Sequence, residues 1–182
     1  MTNPIFDDLD LRLSTVKRWS ILHTQQKQSV AEHVHNVTRI TVRIGVNWFG
    51  LSSEQLLSAM IWAHHHDDLE AIMGDPPSMV KPFIAEDSLL RANEELFPIL
   101  TDHPPQHIEN IVKLADRLER YYFLAMEVAL GNEYCRDHFT EEFKLINAWV
   151  KDRFERRIQL LVHDWMKSVE NPRSYRTPRV GP

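Results

Sequence analysis

Apolar residues recur at helical spacing through most of this chain, and that period limits it to helix packed on helix. After "DHPP", the residues Ile108, Ile111, Val112, Ala115, Leu118 and Tyr122 fall on one stripe, which puts Asp116 within the inner half of the same helix. A second stripe, Val30, Val34, Val37, Ile40 or Thr41, and Ile44, begins at "SVAE", where Ser29 and Glu32 stand in capping-box register; His33 lies on or beside it. A third helix opens at "SSEQ" and runs through Leu56, Met60 and Ala63 into three consecutive histidines, before Gly74 and the Pro76 to Pro77 pair break the chain. Further helices are predicted from Asp7 to Trp19, with Leu9, Leu13 and Val16 inward, and from Glu86 to Phe97. The last runs from near Thr140, carrying Phe143, Ile146, Trp149 or Val150, Phe154, Ile158, Leu161 and Trp165. Tyr121, Tyr122 and the region of Trp165 are predicted core. With only 5 glycines in 182 residues, a sandwich or barrel is disfavoured. The predicted fold class is all-α, a compact bundle of five to seven helices.

The length fits one domain, predicted over residues 1–171. Residues 172–182 are predicted to be an irregular tail, because "NPRSYRTPRVGP" has almost nothing apolar to bury. A net charge of -5 argues against a nucleic-acid polymer as the main partner, since phosphate neutralisation needs a basic stripe. Cys135 is alone, so a disulfide framework is excluded and a reducing compartment is expected. "MTNPIFDDLDLRL" has neither a basic leader nor an apolar run, and no stretch approaches the roughly 20 apolar residues that cross a bilayer. A cytoplasmic protein without a membrane partner is the expectation.

The chemistry concentrates in "IWAHHHDDLEAIMGD", Ile61 to Asp75. Imidazole and carboxylate together suit borderline divalent ions. An inward His33, the adjacent His66 and Asp67, and a distant inward Asp116 would bring four ligands from three helices. Neighbours on one helix diverge by about 100°, so His66 and Asp67 can both reach one ion only where the helix ends.

The ordered pattern H, HD, D at His33, His66 with Asp67, and Asp116 is set in further matching text. This is "RW" at Arg18 and Trp19, "SVAEH" ending at His33, "HDDLEAIMGDPPSMVK" from His66 to Lys81, and "VKLADRLERY" around Asp116. On these motifs the chain resembles the HD-domain metal-dependent phosphohydrolases, in the branch of bacterial 5'-deoxynucleotidases and phage deoxynucleoside triphosphate triphosphohydrolases. The resemblance implies an HD-domain helical bundle and a divalent ion, Co, Mn, Zn or Mg, on His33, His66, Asp67 and Asp116. It implies that Glu70 orients or deprotonates the attacking water or protonates the leaving oxygen. Asp75 would contribute to catalysis or to the sugar 3'-hydroxyl. Arg18, Lys81 and Lys113 would meet phosphates. Trp19 would press on the deoxyribose, leaving no room for a 2'-hydroxyl, and Ile21 would touch the base. His64, His65 and Asp68 are left as scaffold or surface.

The segment between Asp67 and Asp116 is shorter than in the bacterial monophosphatases and looks more like that of the phage enzymes. The expected activity is therefore dATP triphosphohydrolysis, giving deoxyadenosine and triphosphate. The alternative is a 5'-deoxynucleotidase releasing orthophosphate from deoxynucleoside monophosphates. A remoter one is an HD-type di-iron oxygenase, which would enlist His64 or His65 for a second ion, and another is a non-catalytic metal-binding or nucleotide-sensing protein. By resemblance the chain is also expected to form a homo-oligomer, a dimer or hexamer.

Overall fold

The structure, a computed structural model, describes residues 9–77, 80, 83–84 and 103–170. Among these lie seven α-helices: α1 Leu9–Arg12, α2 Val30–Ile44, α3 Ser53–His65, α4 Glu70–Met73, α5 Gln106–Ala129, α6 Arg136–Arg153 and α7 Arg156–Glu170. A π turn, Gly45–Phe49, follows α2, and a 3-10 turn, Glu133–Cys135, precedes α6. The described residues contain no strand beyond a single antiparallel bridge between Lys17 and Ser29. This is the all-α class. No described helix is long and apolar enough to cross a membrane. The predicted helix from Glu86 to Phe97, the predicted tail and Lys81 lie outside the described residues. The chain divides into two compact units, residues 1–116 and 117–182.

In the first unit, both predicted start signals act as caps. Ser29 Oγ accepts the Glu32 N–H at 3.2 Å, and Glu32 Oε2 accepts the Ser29 N–H at 2.7 Å. Ser52 and Gln55 repeat the exchange at 3.2 and 3.0 Å, opening α3. Helix α2 buries Val30, His33, Val34, Val37, Thr41 and Ile44, and it packs against α3. Leu13, Val30, Val34 and Ala71 form a core cluster, with Val16, Ala31 and Leu69 packed around it. A leucine or valine side chain in such a cluster contributes about 1.5–3 kcal/mol when fully buried.

The first helix does not reach Trp19; it stops at Arg12. Ser14 Oγ and Thr15 Oγ1 donate to the carbonyls of Leu11 and Arg12 at 2.7 and 2.8 Å, the local bonding by which these residues compete with helix. The next carbonyls then serve α2. Leu13 O accepts the Ala31 N–H and Val16 O accepts the Val30 N–H, at 3.1 and 3.0 Å. These are two of the donors that a helix start leaves without an internal partner.

In the second unit, α6 packs on α7, burying Ile146, Val150, Ile158, Val162 and Met166. The Tyr121 ring stacks on Phe139 at 4.7 Å and meets Phe143 and Trp165 at 6.2 and 6.5 Å. Its hydroxyl donates to Glu170 Oε1 at 3.1 Å. Tyr122, predicted to be core, is instead 39% exposed, because its neighbour takes the inward position and α5 turns about 100° between them. The single last helix of the sequence reading is two helices. Phe154 ends α6 in an extended conformation, with φ -131° and ψ 152°. Gln159 Nε2 caps the break by donating to Phe154 O at 2.7 Å.

Candidate metal centre

Three elements of the first unit converge on one point. His33 stands one turn into α2 and is wholly buried. Helix α3 ends at His65, so His66 caps it and Asp67 falls in the turn that follows. Adjacent side chains are thereby released from helical divergence. Asp116, half-buried, comes from α5. His33 Nε2 lies 3.2 Å from Asp116 Oδ1 and 3.4 Å from Asp67 Oδ2. The same Asp67 oxygen lies 3.3 Å from His66 Nε2. Candidate ligand atoms of His33, His66 and Asp116 all fall within 4.8 Å of one another.

The donor set fits a borderline divalent ion. His66 Nδ1 is 2.8 Å from the Ala63 carbonyl, which can only accept, so in the neutral ring that nitrogen carries the proton. Nε2 then presents its lone pair to the Asp67 and His33 side. A backbone carbonyl fixing the tautomer of a ligating imidazole is a common outer contact of metal sites. Burial opposes ionisation of Asp67, but the His66 and His33 imidazoles outweigh it and hold the carboxyl well below the usual carboxylate range.

Glu70 is the first residue of α4, with its side chain 5% exposed and its N–H bonded to Asp67 O at 2.9 Å. Gly74 ends α4 with φ +76°, a backbone state that favours glycine, and so delivers Asp75. Asp75 Oδ2 lies 3.8 Å from Arg18 Nε, and both side chains are largely buried.

Arg18 and Trp19 sit on a loop between α1 and α2. Trp19 has φ +61°, the only positive φ of a non-glycine residue among those described. Its indole N–H donates to Gln28 Oε1 at 3.2 Å, and the Arg18 N–H donates to Gln28 O at 3.0 Å. The Arg18 guanidinium lies 5.6 Å from the Trp19 ring centre. Gln28, 8% exposed, thus fixes both residues, although nothing in the run "QQKQ" marks it out in the text.

Other predicted residues stand apart from these contacts. Ile21 is 66% exposed. Lys113 is exposed and pairs with Glu109 Oε1 on its own helix at 2.6 Å. His65 Nδ1 bonds the buried Asp68 at 2.7 Å, and His64 is exposed. Among the described residues, a single histidine and carboxylate group is arranged to hold an ion.

A family model described as 5'-deoxynucleotidase YfbR-like matches residues 6–95, the span that holds His33, His66, Asp67, Glu70 and Asp75. No curated protein matches the chain. Among solved structures, the chain is similar to the cyanophage S-2L HD phosphohydrolase DatZ bound to dA and one catalytic Zn2+ ion. That match has 21% identity and a TM-score of 0.73, and covers 91% of this chain and 96% of the other. It is also similar to the PH0347 protein of Pyrococcus horikoshii, at 24% identity and TM-score 0.70 over 89% and 95% of the two chains. An HD-domain phosphohydrolase of Listeria innocua matches at 17% identity and TM-score 0.63 over 89% and 85%. At these identities the likenesses establish the fold.

Proposed function

We propose that the chain is an HD-domain phosphohydrolase that hydrolyses the 5' phosphates of 2'-deoxynucleotides, with dATP cleaved to deoxyadenosine and triphosphate, a reading supported by the family model matched over residues 6–95. The observation that carries the reading is the convergence of His33, His66 with Asp67, and Asp116 from three distant stretches of sequence, with His33 3.2 Å from Asp116 and 3.4 Å from Asp67, and Asp67 3.3 Å from His66. On this reading these four hold a divalent ion, zinc being the one named for the cyanophage protein. A divalent ion bound there supplies Lewis-acid stabilisation of negative charge on a phosphoryl oxygen.

The remaining steps fall to the chain. Buried Glu70, one turn beyond His66 and Asp67, takes the proton of the attacking water or returns one to the leaving oxygen. Arg18 binds a phosphate through its guanidinium fork, and Asp75 orients that fork from 3.8 Å. Trp19 forms the wall against C2' of the sugar. Ile21, whose side chain is exposed, is free to meet the base. Lys81 and Lys113 are assigned to the outer phosphates, Lys113 after exchanging Glu109 for substrate.

A second reading has its own support, since the matching family model is named for a 5'-deoxynucleotidase. Chromatographic product analysis separates the two. A panel of ribo- and deoxynucleoside mono-, di- and triphosphates is assayed with several divalent metals. Triphosphate and deoxyadenosine from dATP support the first reading. Orthophosphate as sole product, with dAMP far the better substrate, overturns it.

A further inference from the structure

A groove of about 500 Å³ runs beside α2, the π turn and α3 in the first unit. It faces away from the candidate metal centre. Val42 on its floor is nine residues from His33, which places it about 180° around α2. His64 on its α3 wall is two residues from His66, about 200° around that helix.

The groove combines two chemistries. Val42, Val46 and Met60 give it an apolar floor, and Val46 is 51% exposed. His35, Arg39 and Arg43 rise along one edge at successive four-residue steps of α2, with His64 opposite. Among the described residues neither Arg39 nor Arg43 forms an ion pair. Like charges one helical turn apart destabilise a helix, and among the described residues no carboxylate pairs with either arginine to offset them. An anion from outside would complete the site. Guanidinium forks are suited to phosphate oxygens, and neighbouring side chains one turn apart lie about 5–6 Å from each other at Cβ, close enough to share a polyphosphate. The volume lies within the roughly 300–1,000 Å³ typical of small-molecule sites.

We propose that this groove is a second binding site for a nucleoside polyphosphate, with Arg39 and Arg43 on its phosphates and the base on Val42, Val46 and Met60. Because α2 and α3 also carry His33 and lead to His66, an occupant here bears on both helices that build the candidate centre. The site does not depend on which reaction that centre performs.

The test is calorimetric titration of ATP, and separately of inorganic triphosphate, into the full chain in chelator. It is run on the wild type, Arg39→Glu/Arg43→Glu and His33→Ala. ATP is expected to bind the wild type and His33→Ala alike, and to bind the charge-reversed variant at least tenfold more weakly. Inorganic triphosphate, lacking the apolar half, is expected to bind the wild type more weakly than ATP. The proposal is overturned if the wild type takes up no ATP, if ATP binding survives charge reversal, or if it is lost in His33→Ala alone. A change of oligomeric mass on charge reversal, with ATP affinity intact, would instead make this face a contact between copies of the chain. If circular dichroism shows the charge-reversed chain unfolded, Arg39→Gln/Arg43→Gln takes its place with the same expectation.

Discussion

At the scale of single residues, Trp19 joins backbone strain to the proposed chemistry. A bulky residue at φ +61° costs on the order of 1–3 kcal/mol, and such strain persists only where the surroundings hold it. Gln28 does so, accepting the indole N–H through its side chain and the Arg18 N–H through its backbone. Gln28→Leu is therefore expected to lower the preference for deoxy- over ribonucleotides, in kcat/KM, by about tenfold, the equivalent of about 1.4 kcal/mol. Gln28→Glu, which keeps an acceptor for the indole, should retain most of it. Equal loss of both substrates in Gln28→Leu would assign Gln28 a purely structural part. Lys113 belongs to the same scale. Already paired to Glu109 at the surface, it is expected to change KM for a triphosphate by less than about threefold on replacement with Ala, in line with the small worth of exposed ion pairs.

At the scale of elements, the start of α2 sets where His33 points. Ser29→Ala removes the cap and is expected to cost about 1 kcal/mol of stability, read from urea unfolding. Because His33 lies on the first turns of α2, the same change should weaken uptake of Co2+ or Zn2+. Glu32, the other half of the capping box, has its carboxyl held below the usual 4.5, mainly by the Ser29 backbone N–H and then by the Ser29 hydroxyl. A depressed carboxyl contributes stability above its unfolded pKa and loses it as pH falls through the folded value. Glu32→Gln is thus expected to cost a few tenths of a kcal/mol at pH 7, and less than that at pH 3.

The capping boxes were legible because their signal is local, four residues long and indifferent to the rest of the fold. The end of α1 was not. Leu13 and Val16 stop extending their own helix because their carbonyls accept from Ala31 and Val30, partnerships across 18 and 14 residues that helical periodicity cannot report. The break at Phe154 was hidden for a similar reason, since the apolar period continues through it and only the Gln159 side chain marks the cap. Within the site, the spacing of His33, His66, Asp67 and Asp116 could be read from the text. The left-handed Trp19 and the buried amide of Gln28 could not.

At the scale of the whole molecule, the candidate ligands stand at 33, 66, 67 and 116, on three elements of the first unit. An ion bound there ties distant segments together and is expected to stabilise the folded chain. At a free metal concentration of about 100 times Kd the gain is about 2.7 kcal/mol, visible as a rise in Tm that His33→Ala abolishes. Calorimetry with and without metal checks this without any substrate. The same four residues carry the proposed reaction, so the most direct measurement is hydrolysis of dATP by the metal-loaded wild type beside Asp67→Asn, with every product identified. The expected result is deoxyadenosine and triphosphate from the wild type, and a rate roughly a thousandfold or more lower in the variant. Undiminished hydrolysis by Asp67→Asn, or no phosphate release from any deoxynucleotide by the wild type, would contradict it.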